Sequence, residues 1–308
     1  FGAGEPKRAH GQSEVVAARA DIVDRNGLIL ATNLKTPSLY ANPKQVIDPA
    51  RTARDLVRLL PDLDPIETQR KLTADSQFVW IKRDLTPRKM AEINKAGLPG
   101  IHFQDEERRI YPQGQIAGHV IGYTDIDGKG IAGLEKSQNL ALTTSERPVR
   151  LSIDIRLQHL LRHELSKAID EFKGIGGAGT IMDVRTGEIL AMTSLPDFDP
   201  NHPGDMAEEA KFNRASLGVY ELGSTFKIFN TAMALEAGVA TMRSGYDASQ
   251  PIRVSRFRIR DYRGKNRWLS VPEIFMYSSN IGSAKMAMDV GTEGQIDFLK
   301  RLGMMERV

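Results

Sequence analysis

The chain has 308 residues, a length for which two domains is the ordinary expectation. Its composition, 41% hydrophobic and 26% charged, is that of a globular protein and excludes collagen, coiled-coil and disordered classes. A formal net charge of +3, spread along the chain, gives no reason to expect a nucleic-acid partner, and the absence of cysteine excludes disulfides, thiol catalysis and Cys-based metal sites. No apolar run approaches the roughly 18 residues that a membrane-spanning helix needs. The best candidate, IFNTAMALEAGVATM, is broken by Asn230 and Glu236. No signal peptide is recognisable, and a chain opening on Phe1 rather than Met is expected to be a piece of something longer.

In chain order, residues 1–18 (FGAGEPKRAHGQSEVVAA) are polar with scattered glycines and are expected to form a linker. In RADIVDRNGLILATN, apolar residues Ile22, Val23 and Leu28 to Leu30 flank DRNG, and the tolerance of Asn26-Gly27 for positive φ predicts a hairpin. Residues 49–97 read as short helices: DPARTARDLVRLL and TPRKMAEINKAG have helical apolar spacing, and Thr86-Pro87 is a good helix start. ERRIYPQGQIAGHVIGYTDIDGKGIAGLE is glycine-rich and has no clear period. A domain boundary is expected near LTTSERPVRLSID, dividing the chain into residues 1–147 and 148–308. DIRLQHLLRHELSKAIDEF then predicts an amphipathic helix with Leu157, Leu160, Leu161, Leu165, Ala168 and Ile169 on one face. GAGTIMDVRTGEILAMTSL reads as two strands joined at RTGE. A helical pattern runs from Thr225 to Ala237 and stops at Gly238. VPEIFMYSSNIGSAKMAMDVG predicts two short helical stretches flanking SSN.

Several motif matches fail on context. GKGIAG, Gly128 to Gly133, fits a dinucleotide fingerprint, but no apolar strand runs into it and no clean helix follows. Asp125, Asp127 and Glu135 hint at a calcium loop, yet Lys129 stands at the third acidic position. His159 and His163 are spaced for one helix face, on its polar side and without a third ligand, so a solvated face is expected rather than zinc. Neither Gly-Lys pair is followed by Ser or Thr, which excludes a P-loop.

ELGSTFK, Glu221 to Lys227, is different. As a plain helix start, Ser224 or Thr225 would cap it, and Lys227 would sit at the positive end of the dipole, where a cation is unfavourable. The same geometry serves catalysis. Residues i and i+3 share a helix face, so the Lys227 amine can reach Ser224 Oγ. Burial and the dipole both favour a neutral amine, which can then take the proton a serine hydroxyl must lose to become a nucleophile. The Ser224 N–H, at the helix start, can donate to an oxyanion. S-x-x-K occurs once in the chain, but by chance about one is expected; S-x-N occurs at Ser137–Asn139 as well as at Ser278–Asn280. The order and separation of Ser224, Lys227, Ser278 and Asn280 carry more weight than either motif.

With RADIVDRNGLILA, RRIYPQGQIAGHVIGYTD, GIAGLE, LSIDIRLQ, TGEILAMTSLPDFDPN and FNRASLGVYELGSTFK, these motifs resemble the class B penicillin-binding proteins, which are peptidoglycan D,D-transpeptidases. The likeness runs nearly the whole length and is greatest to the division-specific branch of Gram-negative bacteria. The chain departs from that pattern at Ala20 and Leu222, where the family usually has Gly and Pro. It also has no K-T-G or K-S-G; Arg243-Ser244-Gly245 precedes SSN and is in the wrong order. The third motif is expected on a strand beyond Val308, so the resemblance implies a C-terminally truncated chain, weakly active or inactive by itself.

The resemblance implies an α+β fold. Residues 1–147 would be a non-catalytic pedestal and dimerisation module of short strands and helices. Residues 148–308 would be the first part of a serine β-lactamase-like transpeptidase domain, an antiparallel sheet flanked by helices, with only two of five strands encoded. Ser224 would attack the carbonyl between the terminal D-alanines of a stem peptide, and Lys227 would take its proton. Ser278 would relay a proton to the leaving D-alanine, and Asn280 would hold Lys227 or the substrate amide. β-Lactams would acylate Ser224. No cofactor or metal is implied. Expected partners are peptidoglycan stem peptides, a septal glycan polymerase and other divisome membrane proteins. The expected location is the periplasmic side of the inner membrane, with a single-pass anchor outside this chain. Two alternatives use the same residues: a serine β-lactamase or D,D-carboxypeptidase, and a non-enzymatic penicillin sensor or scaffold.

Overall fold

In the computed structural model, which describes residues 19–306, DRNG forms the turn of the first hairpin. The linker expected at residues 1–18 lies outside the described residues. Strands β1 (Ile22–Val23) and β2 (Ile29–Ala41) pair antiparallel, and the Asp24 N–H bonds Leu28 O at 2.9 Å. Only Gly27 enters the left-handed region, at φ +88°. The Asp24 carboxylate accepts from the Asn26 and Leu28 N–H groups at 2.7 and 2.9 Å, so the side chain builds the turn that Asn26 does not supply.

The described residues form two compact units, 19–218 and 219–306. In the first, β2 is followed by α1 (Pro49–Leu59), α2 (Pro65–Leu72), β3 (Val79–Lys82), α3 (Pro87–Ala96) and β4 (Ile101–Ile110). Asp48, Asp64 and Thr86 cap the three helices through side-chain bonds to N3, each with Pro in the first turn. β2 is the spine, pairing with β4 over Thr32–Ala41 and with β1 and β3 near its two ends. β4 carries IHFQDEERRI, in which charge masks the strand period, so the sequence gives no signal for it. Leu39 and Ala41 of β2 face a core of Leu56, Leu72, Ile81 and Ile93.

A second core holds Ile22, Leu30, Ala31, Tyr111, Ile121 and Leu142. The glycine-rich stretch closes it with three short helices, α4 (Gly118–Ile121), α5 (Gly133–Ser137) and α6 (Asn139–Thr144). Beside it Glu135 is wholly buried. Arg19 Nε donates to it at 2.5 Å and Arg109 Nε at 2.8 Å; Arg19 also donates to Glu135 O and to Asn139 Oδ1. Glu135 is therefore a buried ion-pair residue, not a calcium ligand. Among the described residues no group of His, Asp and Glu is arranged to hold a metal.

Strand β5 (Val149–Arg150) runs parallel to β1, and α7 (Ile155–Phe172) follows. β6 (Gly177–Met182) and β7 (Ile189–Leu195) form the antiparallel pair predicted around RTGE. Leu161 and Leu165 of α7 lie over Gly179 and Gly177, where a Cβ would come within 2.9 and 3.1 Å of their side chains. Leu160 does not share that face; it is 52% exposed. The residue α7 buries is Gln158, which donates to Ile116 O and Met192 O and accepts from Met192 N. A polar side chain thus occupies the centre of the contact because it satisfies strand backbone there. A short helix, α8 (Glu208–Lys211), precedes the end of the unit.

The second unit contains α9 (Lys227–Glu236), β8 (Gly245–Asp247), the hairpin β9 (Ile252–Val254) and β10 (Phe257–Ile259), β11 (Trp268–Ser270), α10 (Val271–Met276) and α11 (Asn280–Arg301). α11 breaks at Gly291 (φ 75°, ψ 169°). Ala234, Leu269, Val271, Ile274, Ile281 and Met286 make its core. No helix among the described residues is long and apolar enough to cross a membrane.

Removing one partner of a buried ion pair typically costs about 3–5 kcal/mol, because the other charge is left uncompensated. Glu135→Ala is expected to destabilise the first unit by that amount, read as a fall in its urea midpoint. A loss under about 1 kcal/mol would show that the two arginines are satisfied without it.

Candidate active site

Ser224, Lys227, Ser278 and Asn280 all lie in the second unit, and Lys227 Nζ is the point on which they converge. A single 3-10 turn, Gly223–Phe226, presents Ser224 on the surface and runs directly into α9, so Lys227 is its first residue. No side chain caps this start, so the plain capping role for Ser224 or Thr225 is not what the turn provides. Opposite it, α10 ends at Met276 and the chain reaches α11 through Tyr277-Ser278-Ser279. Ser278 sits at φ +54°, a left-handed conformation that costs a serine about 1–2 kcal/mol.

That backbone turn presents both oxygens of Ser278 to Lys227. Nζ donates to Ser278 O at 2.6 Å, to Ser278 Oγ at 2.9 Å and to Asn280 Oδ1 at 2.6 Å. Ser224 Oγ is farther, at 3.4 Å. An ammonium has three N–H groups, and the three nearer acceptors use them all. Once neutral, the amine has a lone pair, to which either the Ser278 or the Ser224 hydroxyl can donate. Burial lowers the Lys227 pKa below the ordinary lysine value, and the Asp261 carboxylate opposes that shift.

Asp261 was not singled out from the sequence. Its Oδ2 accepts from Ser279 Oγ at 2.8 Å, and its Oδ1 accepts from the Asn280 and Ile281 N–H groups at 2.6 and 3.0 Å. It therefore satisfies orphan donors at the start of α11, alongside Ser279 Oγ, which accepts from Gly282 N at 3.0 Å. Asn280 Nδ2 donates to Arg260 O, which leaves Oδ1 facing Lys227. Two further contacts fix how α11 packs against α9 and α10. Asn230, buried in α9, donates to Ser283 O at 2.8 Å. Gly282 lets α11 close on α10, because a Cβ there would meet Ile274 at 2.6 Å.

The amine, two hydroxyls and the N-terminal turn of a helix make a set suited to acyl transfer: a nucleophile, a base and a proton relay. Removing the Asp261 charge removes the influence that favours the protonated amine. In Asp261→Asn the Lys227 titration midpoint is therefore expected to fall further below the ordinary lysine value, followed by NMR of the Lys227 side chain. A midpoint that stays or rises would mean that Asp261 acts on Lys227 only through the backbone it holds.

Comparison with known proteins bears on both units. Residues 14–146 match the penicillin-binding protein dimerisation domain, and residues 177–307 match the penicillin-binding protein transpeptidase domain. The chain is 40% identical over 294 residues to a probable peptidoglycan D,D-transpeptidase FtsI of Caulobacter vibrioides, covering 94% of this chain and 50% of that protein. It is 35% identical to a probable peptidoglycan D,D-transpeptidase PenA of Neisseria meningitidis, covering 95% of this chain and 55% of that one. It is 32% identical to the peptidoglycan D,D-transpeptidase FtsI of Escherichia coli, covering 94% and 54%. The chain thus spans about half the length of the curated relatives it matches. In fold it is similar to the crystal structure of a peptidoglycan synthetase from Bifidobacterium adolescentis, with TM-score 0.66 and 24% identity, covering 94% of this chain and 62% of that one.

Proposed function

The chain belongs to the penicillin-binding protein family, and from that membership we propose that it is part of a serine D,D-transpeptidase that cross-links peptidoglycan stem peptides during septal wall synthesis. The observation that carries this is the convergence of Ser224, Ser278 and Asn280 on Lys227 Nζ. Neutral Lys227 takes the Ser224 proton as Oγ attacks the carbonyl between the two terminal D-alanines. The oxyanion that forms faces the Ser224 N–H at the helix start. Ser278, hydrogen-bonded to Lys227, passes the proton to the departing D-alanine nitrogen as the C–N bond breaks. An amine of a neighbouring stem peptide then attacks the acyl-enzyme ester and restores Ser224. Asn280 fixes the amine that starts the sequence. A β-lactam enters at the same step, because its strained amide takes the place of the scissile bond.

Residues 1–147 are assigned to the non-catalytic pedestal and residues 148–308 to the transpeptidase portion. The two family matches, 14–146 and 177–307, fall on either side of that division. The division-specific names of the relatives support a septal role, with a glycan polymerase and other divisome proteins as partners. The placement proposed with it is periplasmic, on an inner-membrane anchor.

Intact mass after incubation with a penicillin is expected to show one adduct on the chain and none on Ser224→Ala. Lys227→Ala is expected to slow adduct formation by about 10²–10⁴-fold, the contribution of a positioned proton-transfer group. An adduct that survives in Ser224→Ala would overturn the assignment of the nucleophile. Adduct formation at an unchanged rate in Lys227→Ala would overturn that of the base.

A further inference from the structure

From Arg253 to Arg267 the chain reads RVSRFRIRDYRGKNR: seven Lys or Arg residues and one acid in 15 positions. The net charge of the whole chain is only +3, so this is a local concentration of cations. It forms the β9–β10 hairpin and the loop that follows, and every cation in it is exposed.

Internal partners do not account for these charges. Among the described residues Arg267 alone has a carboxylate, Glu273 at 2.7 Å. The one acid, Asp261, spends both oxygens on Ser279 and the start of α11. Arg253 and Arg258 stand directly opposite each other in the hairpin register. Like charges at such a position destabilise a strand pair, so the hairpin keeps a local cost that an opposite charge from outside would remove.

The arm is also fixed to the reaction centre. The Asp261 bonds and the Asn280 Nδ2 bond to Arg260 O join its loop to the Ser279-Asn280 backbone. Lys265 Nζ lies 4.6 Å from the centre of the Tyr277 ring, next to Ser278. What the arm attracts is therefore delivered beside Ser278 and Lys227. A basic surface at the mouth of a site concentrates and orients an anionic substrate.

We infer that the 253–267 arm is a substrate-recruiting element that binds carboxylate groups of the peptide brought to Ser224, outside the D-Ala-D-Ala unit itself. This rests on the proposed role of Ser224 and adds a specificity for acidic peptides. Arg253 and Arg258 are positioning and specificity residues in this scheme; they do not touch the reacting atoms.

The test uses the chain carrying Ser224→Ala and two fluorescent peptides ending in D-Ala-D-Ala. One has two further free carboxylates, and its twin has them amidated. Anisotropy at about 0.01 M salt is expected to show roughly fivefold tighter binding of the acidic peptide, the scale of a few exposed charge contacts. Raising salt to about 0.1 M shortens the screening length from ~30 Å to ~10 Å and should shrink that preference. Arg253→Gln with Arg258→Gln should abolish it, while Arg253→Lys with Arg258→Lys should keep it, since charge is what is required. Equal binding of the twins, or a preference retained in the Gln pair, would overturn the inference. So would binding of phosphatidylglycerol vesicles that depends on the two arginines and displaces the acidic peptide, which would make the arm a lipid-binding face. Penicillin adducts on the chain with native Ser224, measured in parallel, separate two failures. An adduct without peptide preference removes only the arm, whereas a preference without an adduct removes the acyl-transfer assignment.

Discussion

The second unit is organised round one ammonium group. Lys227 must be close enough to Ser224 to take a proton, yet a half-buried cation at a helix start is unfavourable unless its N–H groups are satisfied. Ser278 and Asn280 satisfy them. They can do so only because Ser278 is held left-handed, because α11 begins two residues later, and because Asn230 and Gly282 set the approach of its neighbouring helices. The hydrogen-bond geometry also orders the chemistry. While Lys227 is charged, its donors are taken up by Ser278 and Asn280; only the neutral amine offers Ser224 an acceptor.

The first unit has a buried charge of its own, and there the logic is reversed. Arg19, Arg109 and Glu135 come from three separated blocks, RADIVDRNG, RRIYPQG and GIAGLE. As sequence, nothing in the blocks pointed to their meeting. In the structure they meet, and Asn33 and Asn139 take further N–H groups of the two arginines. A buried ion cluster adds little net stability over an apolar one, but it accepts few alternative partners, which gives the junction of three chain segments a single arrangement.

Legibility in the sequence followed the range of the interaction. The S-x-x-K spacing is local helix geometry, so Ser224 and Lys227 could be paired from sequence alone, and SSN was placed between two helices for the same reason. The turns at Gly27 and Gly187 and the capped start of α3 were equally local. Failures came where tertiary contacts decide. Leu160 fits the apolar stripe of α7 but points to solvent, whereas Gln158 is buried because strand backbone awaits it. β4 is a strand because β2 pairs with it, not because its side chains alternate. Asp261 acts across 18 to 20 residues of chain, and its only signal was its isolation as an acid among cations. The cations themselves disappeared into a whole-chain average.

Asp261 and the basic arm belong together physically. An acid set among seven cations would ordinarily pair with one of them. Here its oxygens are instead taken by a hydroxyl and two backbone N–H groups at the start of α11. Those donors cannot be satisfied from within the helix, so a nearby carboxylate meets a need that a surface arginine does not present. The acid is thereby spent on holding Ser279 and Asn280 in place, and among the described residues only Arg267 of the surrounding cations has a carboxylate partner. The same loop thus stabilises the machinery with its one negative charge and faces solvent with its positive ones. An element built that way cannot be neutralised internally without loosening the helix start on which Asn280 and Lys227 depend.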